Sequence, residues 1–238
     1  MPRAASQEGG STGADLQVAL ADVTRFVRQL SHDLRNHLNA AELQSAYINE
    51  VTEDADLKEE LKRLREMLSE MGASLQRLTT SLGPINLTGM SYEARSFMED
   101  LRQQVGTRFS TQTEAIEWDL KLDKETIEID PQLLQEAILE LFANAFCHGR
   151  GAGPIHVTAA TLDGQFIFTL REPKTEFDGL TERWGMEPFS KVKHGHYGLG
   201  LSRVRRIVEA HGGSFSARYD SAAATLITSV VLPLAAEA

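Results

Sequence analysis

The chain has 238 residues, 42% of them hydrophobic and 24% charged, the profile of a globular protein with room for one large or two small cored domains. A formal net charge of −10 argues against general nucleic-acid binding, and a lone cysteine, Cys147, excludes internal disulfides and fits a reducing compartment. No stretch reaches the ~18 apolar residues of a membrane span, and the N-terminus lacks the apolar core of a signal peptide, so the expectation is a cytoplasmic protein.

Residues 1–14, rich in Gly, Ser and Ala, are expected to form a disordered leader with almost nothing to bury. Asp15 is placed to cap a helix running to about Thr52, with Leu16, Ala19, Val23, Phe26, Leu30, Leu34, Leu38, Ala41, Ile48 and Val51 near one stripe. After a polar turn at Glu53 to Asp56, a second helix carries Leu57, Leu61, Leu64, Leu68, Met71, Leu75, Leu78 and Leu82. These alternate in steps of four and three, the seam of a coiled-coil-like helix, and Gly83-Pro84 stops it. Two such helices make an antiparallel hairpin, and pairing two hairpins into a four-helix bundle buries more apolar surface than one alone. A homodimer is expected.

Beyond Pro84 the pattern changes. Ser91 to Phe109 reads as a helix, followed by strand alternation at Ile116, Trp118, Leu120 and Leu122 and again at Ile127 and Ile129. Asp130-Pro131 starts a helix through Leu133, Leu134, Ala137, Ile138, Leu141 and Phe142 to about His148. Ile155 to Leu170 is a hairpin turned on Asp163-Gly164, and Glu172 to Tyr197 is long and polar. A helix from Leu199 to His211, closed by Gly212-Gly213, and strands near Phe215–Tyr219 and Leu226–Leu234 end the chain. The predicted fold class is α+β: an N-terminal helical hairpin over residues 15–84 and an α/β sandwich over 85–238.

Three clusters carry chemistry. In SHDLRNHLN, His32 lies about 200° from both Leu30 and Leu34, facing solvent, with Asn36 one turn on and Asp33 beside it. A neutral imidazole can attack phosphorus while the carboxylate orients the ring or takes its proton, and Asn36 can position a water; a plain surface histidine fits the same spacing. His37 turns back towards the stripe. In the Pro131 helix, Glu140, Asn144 and His148 share one polar edge, suited either to solvent or to holding magnesium against a phosphate chain. Tyr197-Gly198-Leu199-Gly200-Leu201 runs into a helix whose free N–H groups can receive a phosphate, and Lys191, Lys193, His194 and His196 add positive charge upstream.

The order SHDLRN, ELFANA, then GLGLSRVRRIVEAHGG resembles a bacterial sensor histidine kinase of two-component signalling, from about residue 18 to the C-terminus. The resemblance implies a dimerisation and phosphotransfer hairpin followed by a catalytic, ATP-binding domain. It implies that His32 is autophosphorylated from ATP with Asp33 as acid–base neighbour, and that Asn36 occupies the phosphatase-linked position. Asn144 is then the magnesium-binding asparagine. Glu140, His148, Glu172, Gly198, Leu199, Gly200 and Leu201 line the nucleotide, and Phe189 matches the aromatic before the ATP lid. A response-regulator receiver domain is the implied partner. No input domain is recognisable before Asp15, so a signal would come from the bundle or from a separate sensor protein.

The departures are specific. Glu140 stands where most such kinases have asparagine and related gyrase-type ATPases have a catalytic glutamate. Cys147 replaces a basic residue, and His37 replaces a proline. The family's first glycine box, Asp-x-Gly-x-Gly, with the aspartate accepting from the adenine amino group, is here Glu172-Pro-Lys174-Thr-Glu176. That loss motivates an alternative reading, a histidine phosphotransferase or adaptor whose ATPase-like domain does not bind ATP.

Overall fold

The computed structural model describes residues 20–147, 149–175, 177, 181, 184–186 and 198–235. The leader, Asp15, Leu16, Ala19, His148, Glu176, Phe189, Lys191, Lys193, His194, His196 and Tyr197 lie outside them. The chain divides into two compact units, Met1–Thr79 and Thr80–Ala238.

The first unit holds helices α1 (Leu20–Val51) and α2 (Ala55–Ser81). Asp54 accepts from the backbone N–H of Asp56 at 2.9 Å and of Leu57 at 3.2 Å, which fixes the start of α2 by capping. The helices are bridged by a hydrogen bond from the Arg35 guanidinium to the side-chain Oε1 of Gln76. The stripe on α1 is distributed differently from its sequence reading. Ser31 and Ser45 are buried and Leu38, midway between them at seven-residue steps, is half-buried, whereas Phe26, Leu30, Leu34 and Val51 are exposed. On α2 Leu61 is buried, while Leu57, Leu64 and Met71 are exposed at the same spacing. His37 is likewise exposed rather than turned inward.

In the second unit, β2 (Ile116–Lys121), β4 (Ile155–Leu162), β5 (Gln165–Pro173), β7 (Thr225–Pro233) and β6 (Ser214–Asp220) form one sheet in that order, β2 parallel to β4 and the rest antiparallel. Helices α3 (Ala94–Arg108), α4 (Pro131–Cys147) and α5 (Gly200–Ala210) share its core, where Phe97, Phe142, Phe166 and Phe168 are fully buried. The β4–β5 turn places Asp163 at φ 50° and Gly164 at φ 75°, the conformation that an Asp-Gly hairpin turn requires.

Two assignments change. The Ser91–Phe109 segment is not helical throughout: β1 (Met90–Glu93) pairs antiparallel with β3 (Thr126–Ile129), Met90 opposite Ile129 and Tyr92 opposite Ile127, before α3 begins. Four residues are too few for a period to show, and pairing with β3 decides the conformation. β5 also runs past Leu170 to take in Arg171, Glu172 and Pro173, opposite Ile227, Leu226 and Thr225. A carboxylate continues the buried face of this strand because Lys174 neutralises it.

Candidate functional site

On α1, His32 and Asp33 stand in solvent, their side chains 69% and 54% exposed. His32 Nδ1 lies 3.3 Å from Asp33 Oδ1 and 3.5 Å from Asn36 Nδ2, and Gln29 donates to Asp33 at 3.0 Å. One ring nitrogen cannot donate to Asp33 and accept from Asn36 together. The shorter, charge-assisted contact favours the tautomer with the proton on Nδ1. The lone pair then sits on Nε2, the nitrogen that neither neighbour contacts. Hydrogen bonds from His32 and then Gln29 hold the Asp33 carboxyl below its ordinary value, so it is a carboxylate at neutral pH.

In the second unit the polar edge of α4 meets the start of α5. Glu140 and Asn144 are both half-buried, and Asn144 Nδ2 lies 3.4 Å from Glu140 Oε1. A Cβ on Gly200 would run into the Glu140 carboxyl group, 2.9 Å from its carbon, so any larger residue there must displace that carboxylate. Gly198 takes φ 65°, a left-handed turn suited to glycine, and Leu199, the N-cap of α5, gives no side-chain cap. The first amides of α5 therefore open towards the space beside Glu140. The structure thus brings together Glu140, Asn144, Gly198, Leu199 and Gly200, with Leu201 one residue into the helix and half-buried.

Residues 129–236 match the family model described as histidine kinase-, DNA gyrase B- and HSP90-like ATPase. The alginate biosynthesis sensor protein KinB of Pseudomonas aeruginosa is 26% identical over 236 residues, covering 88% of this chain and 38% of KinB. The chain is thus similar to sensor histidine kinases, with the ATPase family match confined to residues 129–236. Its ATPase-type domain follows a helical N-terminal unit, and full-length ShkA, solved in complex with AMPPNP, shares this fold at TM-score 0.69 and 20% identity, over 90% of this chain and 47% of ShkA. Histidine kinase ThkA in complex with response regulator protein TrrA shares it at TM-score 0.57 and 16% identity, over 90% of this chain and 62% of that one. The chain spans about two fifths to somewhat over half the length of the curated relatives it matches. No helix among the described residues is long and apolar enough to cross a membrane.

Glu172 takes a position that spacing alone did not reveal. Phe166, Phe168, Leu170 and Glu172 alternate onto the buried face of β5, so the carboxylate points the same way as the core phenylalanines. Its Oε2 lies 3.0 Å from Lys174 Nζ, with the two side chains 5% and 4% exposed. Burial pushes the Glu172 carboxyl up, against the pull of Lys174 and Arg150. Thr228, on the neighbouring β7 and opposite Leu170, faces the same side with its hydroxyl buried and without a hydrogen-bond partner among the described residues. Lys174 and Thr228 were both missed as site residues. The i, i+2 relation of Glu172 to Lys174 on a strand was the available signal, but it shows only once β5 is known to continue that far.

Proposed function

We propose that this chain is the phosphoacceptor and ATPase portion of a cytoplasmic histidine kinase, which phosphorylates His32 from ATP and passes the phosphoryl group to an aspartate of a response-regulator receiver domain. The observation that carries the reading is an exposed histidine whose Nδ1 lies 3.3 Å from the Asp33 carboxylate, leaving Nε2 uncontacted by either neighbour, in a chain similar to sensor histidine kinases. His32 Nε2 attacks the γ-phosphorus of ATP. The bond from that phosphorus to the β,γ-bridging oxygen breaks, ADP leaves, and Asp33 accepts the Nδ1 proton as the new P–N bond draws density from the ring.

The phosphate end of the ATPase domain suits a magnesium nucleotide. Asn144 and Glu140 offer oxygen donors side by side, the set magnesium takes alongside phosphate oxygens and waters, and the missing Gly200 Cβ leaves the amides of α5 open. Magnesium bound at Asn144 supplies charge neutralisation for the β- and γ-phosphoryl oxygens. Asn36 is assigned to orient a water during dephosphorylation. His148 and Glu172 complete the proposed nucleotide lining. The exposed Phe26, Leu30, Leu57, Leu64 and Met71 are the surface through which two hairpins pair into a four-helix bundle.

Incubation with γ-labelled ATP and magnesium tests the reading. Acid-labile label on the wild type and none on His32→Ala is the expected result. Label that reaches His32 only from a phosphorylated receiver domain, with no nucleotide bound, replaces the kinase with the phosphotransferase.

A further inference from the structure

We infer that Lys174 takes Glu172 out of use as a reader of the nucleobase, so that this domain recognises nucleoside triphosphates through their phosphates and discriminates poorly between bases. The inference rests on the nucleotide-site reading above and names the substrate class of that site.

Glu172 is the carboxylate that β5 delivers to the buried face of the sheet, 4% exposed. In the nucleotide-site reading, a carboxylate there would read a base by accepting from its amino group. In this chain it already faces an ammonium 3.0 Å away, and Lys174 itself is only 6% exposed. The Lys174 main chain is held on three sides. Its N–H donates to the Ala224 carbonyl at 2.8 Å, and it forms a β-bridge with Arg150. Gly151 donates to the Pro173 carbonyl at 2.7 Å and sits so close that a Cβ there would come 3.0 to 3.2 Å from the Lys174 backbone. The segment after α4 is therefore clamped onto Lys174.

Withdrawing one member of a buried ion pair costs more than a single hydrogen bond from a neutral amino group to a carboxylate returns. A base that needs Glu172 thus gains nothing by breaking the pair. The phosphate end is built from other residues, Glu140, Asn144 and Gly200, none of which depends on Lys174. Triphosphate affinity survives while base selectivity falls.

Calorimetric titration of the full chain with magnesium-ATP and magnesium-GTP tests this, on wild type, Lys174→Gly and the neutral double variant Glu172→Gln/Lys174→Met. The double variant leaves no buried charge, so it guards against misfolding of the single one, and a thermal melt checks both. Expected are wild-type affinities for the two nucleotides within about threefold, and a preference for ATP that rises at least tenfold in either variant, since a free glutamate or glutamine oxygen can accept from the amino group of adenine. A wild type that prefers ATP by thirtyfold or more overturns the inference, as does a ratio unchanged in folded variants. Wild type binding neither nucleotide, with Lys174→Gly binding ATP, overturns the inference, since triphosphate affinity then does not survive the ion pair, and sinks the kinase reading. Binding by none of the three sinks both.

Discussion

Asp130 is where a single carboxylate ties the ATPase domain together, and its removal should be costly in a pH-dependent way. Its Oδ1 accepts from the Leu133 N–H at 3.1 Å, capping α4, and its Oδ2 accepts from the Thr88 N–H at 2.9 Å. Its own N–H donates to His211 Nε2 at 2.9 Å, whose Nδ1 lies 2.7 Å from the Ile207 carbonyl oxygen, so the neutral ring uses both nitrogens. Loss of an aspartate cap costs about 1 kcal/mol, and a hydrogen bond to a charged acceptor about 1.5–3 kcal/mol. Asp130→Ala should therefore destabilise by roughly 2–4 kcal/mol, or about 5–15 °C in Tm for a unit of this size. Asp130→Asn, which keeps one carbonyl oxygen for Leu133 but turns an amide donor towards Thr88, should lose about half as much. Burial raises the Asp130 carboxyl, but the backbone N–H groups of Thr88, Leu133 and Gln132 outweigh it, and the net shift is downward. A carboxyl depressed in the folded state contributes stability that is complete above its unfolded value, near pH 4, and is lost as pH falls through the folded value. Urea titrations of wild type and variant should thus differ by a constant amount from pH 7 to 5 and converge below about pH 4. A cost under ~0.5 kcal/mol at pH 7, against the range expected for a cap, or a gap that persists undiminished at pH 3, would refute the reasoning.

Asp33→Asn should slow labelling of His32 by about a hundredfold or more without changing the melting temperature, since the side chain stands in solvent; an unaltered initial rate would remove Asp33 from the mechanism. Gly200→Ala should weaken ATP binding at least ~tenfold, because the new methyl group displaces the Glu140 carboxylate that borders the phosphate site. Its fold should stay intact by circular dichroism, and wild-type affinity in the variant would mean that Glu140 and Gly200 do not border the ligand. Leu64→Glu places a charge on the exposed heptad line of α2 and should turn a dimer into a monomer in light scattering; an unchanged mass would move the association surface elsewhere.

Much of this architecture was legible because the decisive interactions are local. The heptad steps of α2, the Asp163-Gly164 turn and the Asp130-Pro131 helix start each depend on residues within a few positions. The proximity of His32, Asp33 and Asn36, and of Glu140 and Asn144, follows from helical spacing and appears as contacts of 3.3 to 3.5 Å. What the sequence hid is tertiary. β1 is a strand only because β3 lies beside it. Hydrophobicity pointed to Phe26, Leu30 and Leu34 as covered, yet in one chain the covered positions are Ser31 and Ser45, where small side chains allow close approach. The closeness of Glu140 to Gly200 joins residues sixty positions apart, and no local period encodes it.

Helix α5 explains how the candidate phosphate site is kept in place. Its first residue, Gly200, abuts Glu140 of α4. One turn on, Arg203 grips Glu136 of α4 through two bonds of 2.7 and 3.1 Å and donates to the Thr80 carbonyl at 2.6 Å. Arg206 donates to the carbonyls of Ser81 at 3.2 Å and Gly83 at 2.6 Å. At the far end, His211 accepts the N–H of Asp130, which caps the start of α4. The two helices are therefore pinned at three levels, and the Arg203 guanidinium, 11% exposed on its side chain, makes the middle pin bidentate and shielded. Because Arg203 and Arg206 also hold the first residues of the second unit, a shift of those carbonyls must either break charge-assisted bonds or carry α5 along. Gly200, which meets Glu140, rides on the same helix, so Thr80, Ser81 and Gly83 at the start of the second unit are tied to the element that borders Glu140.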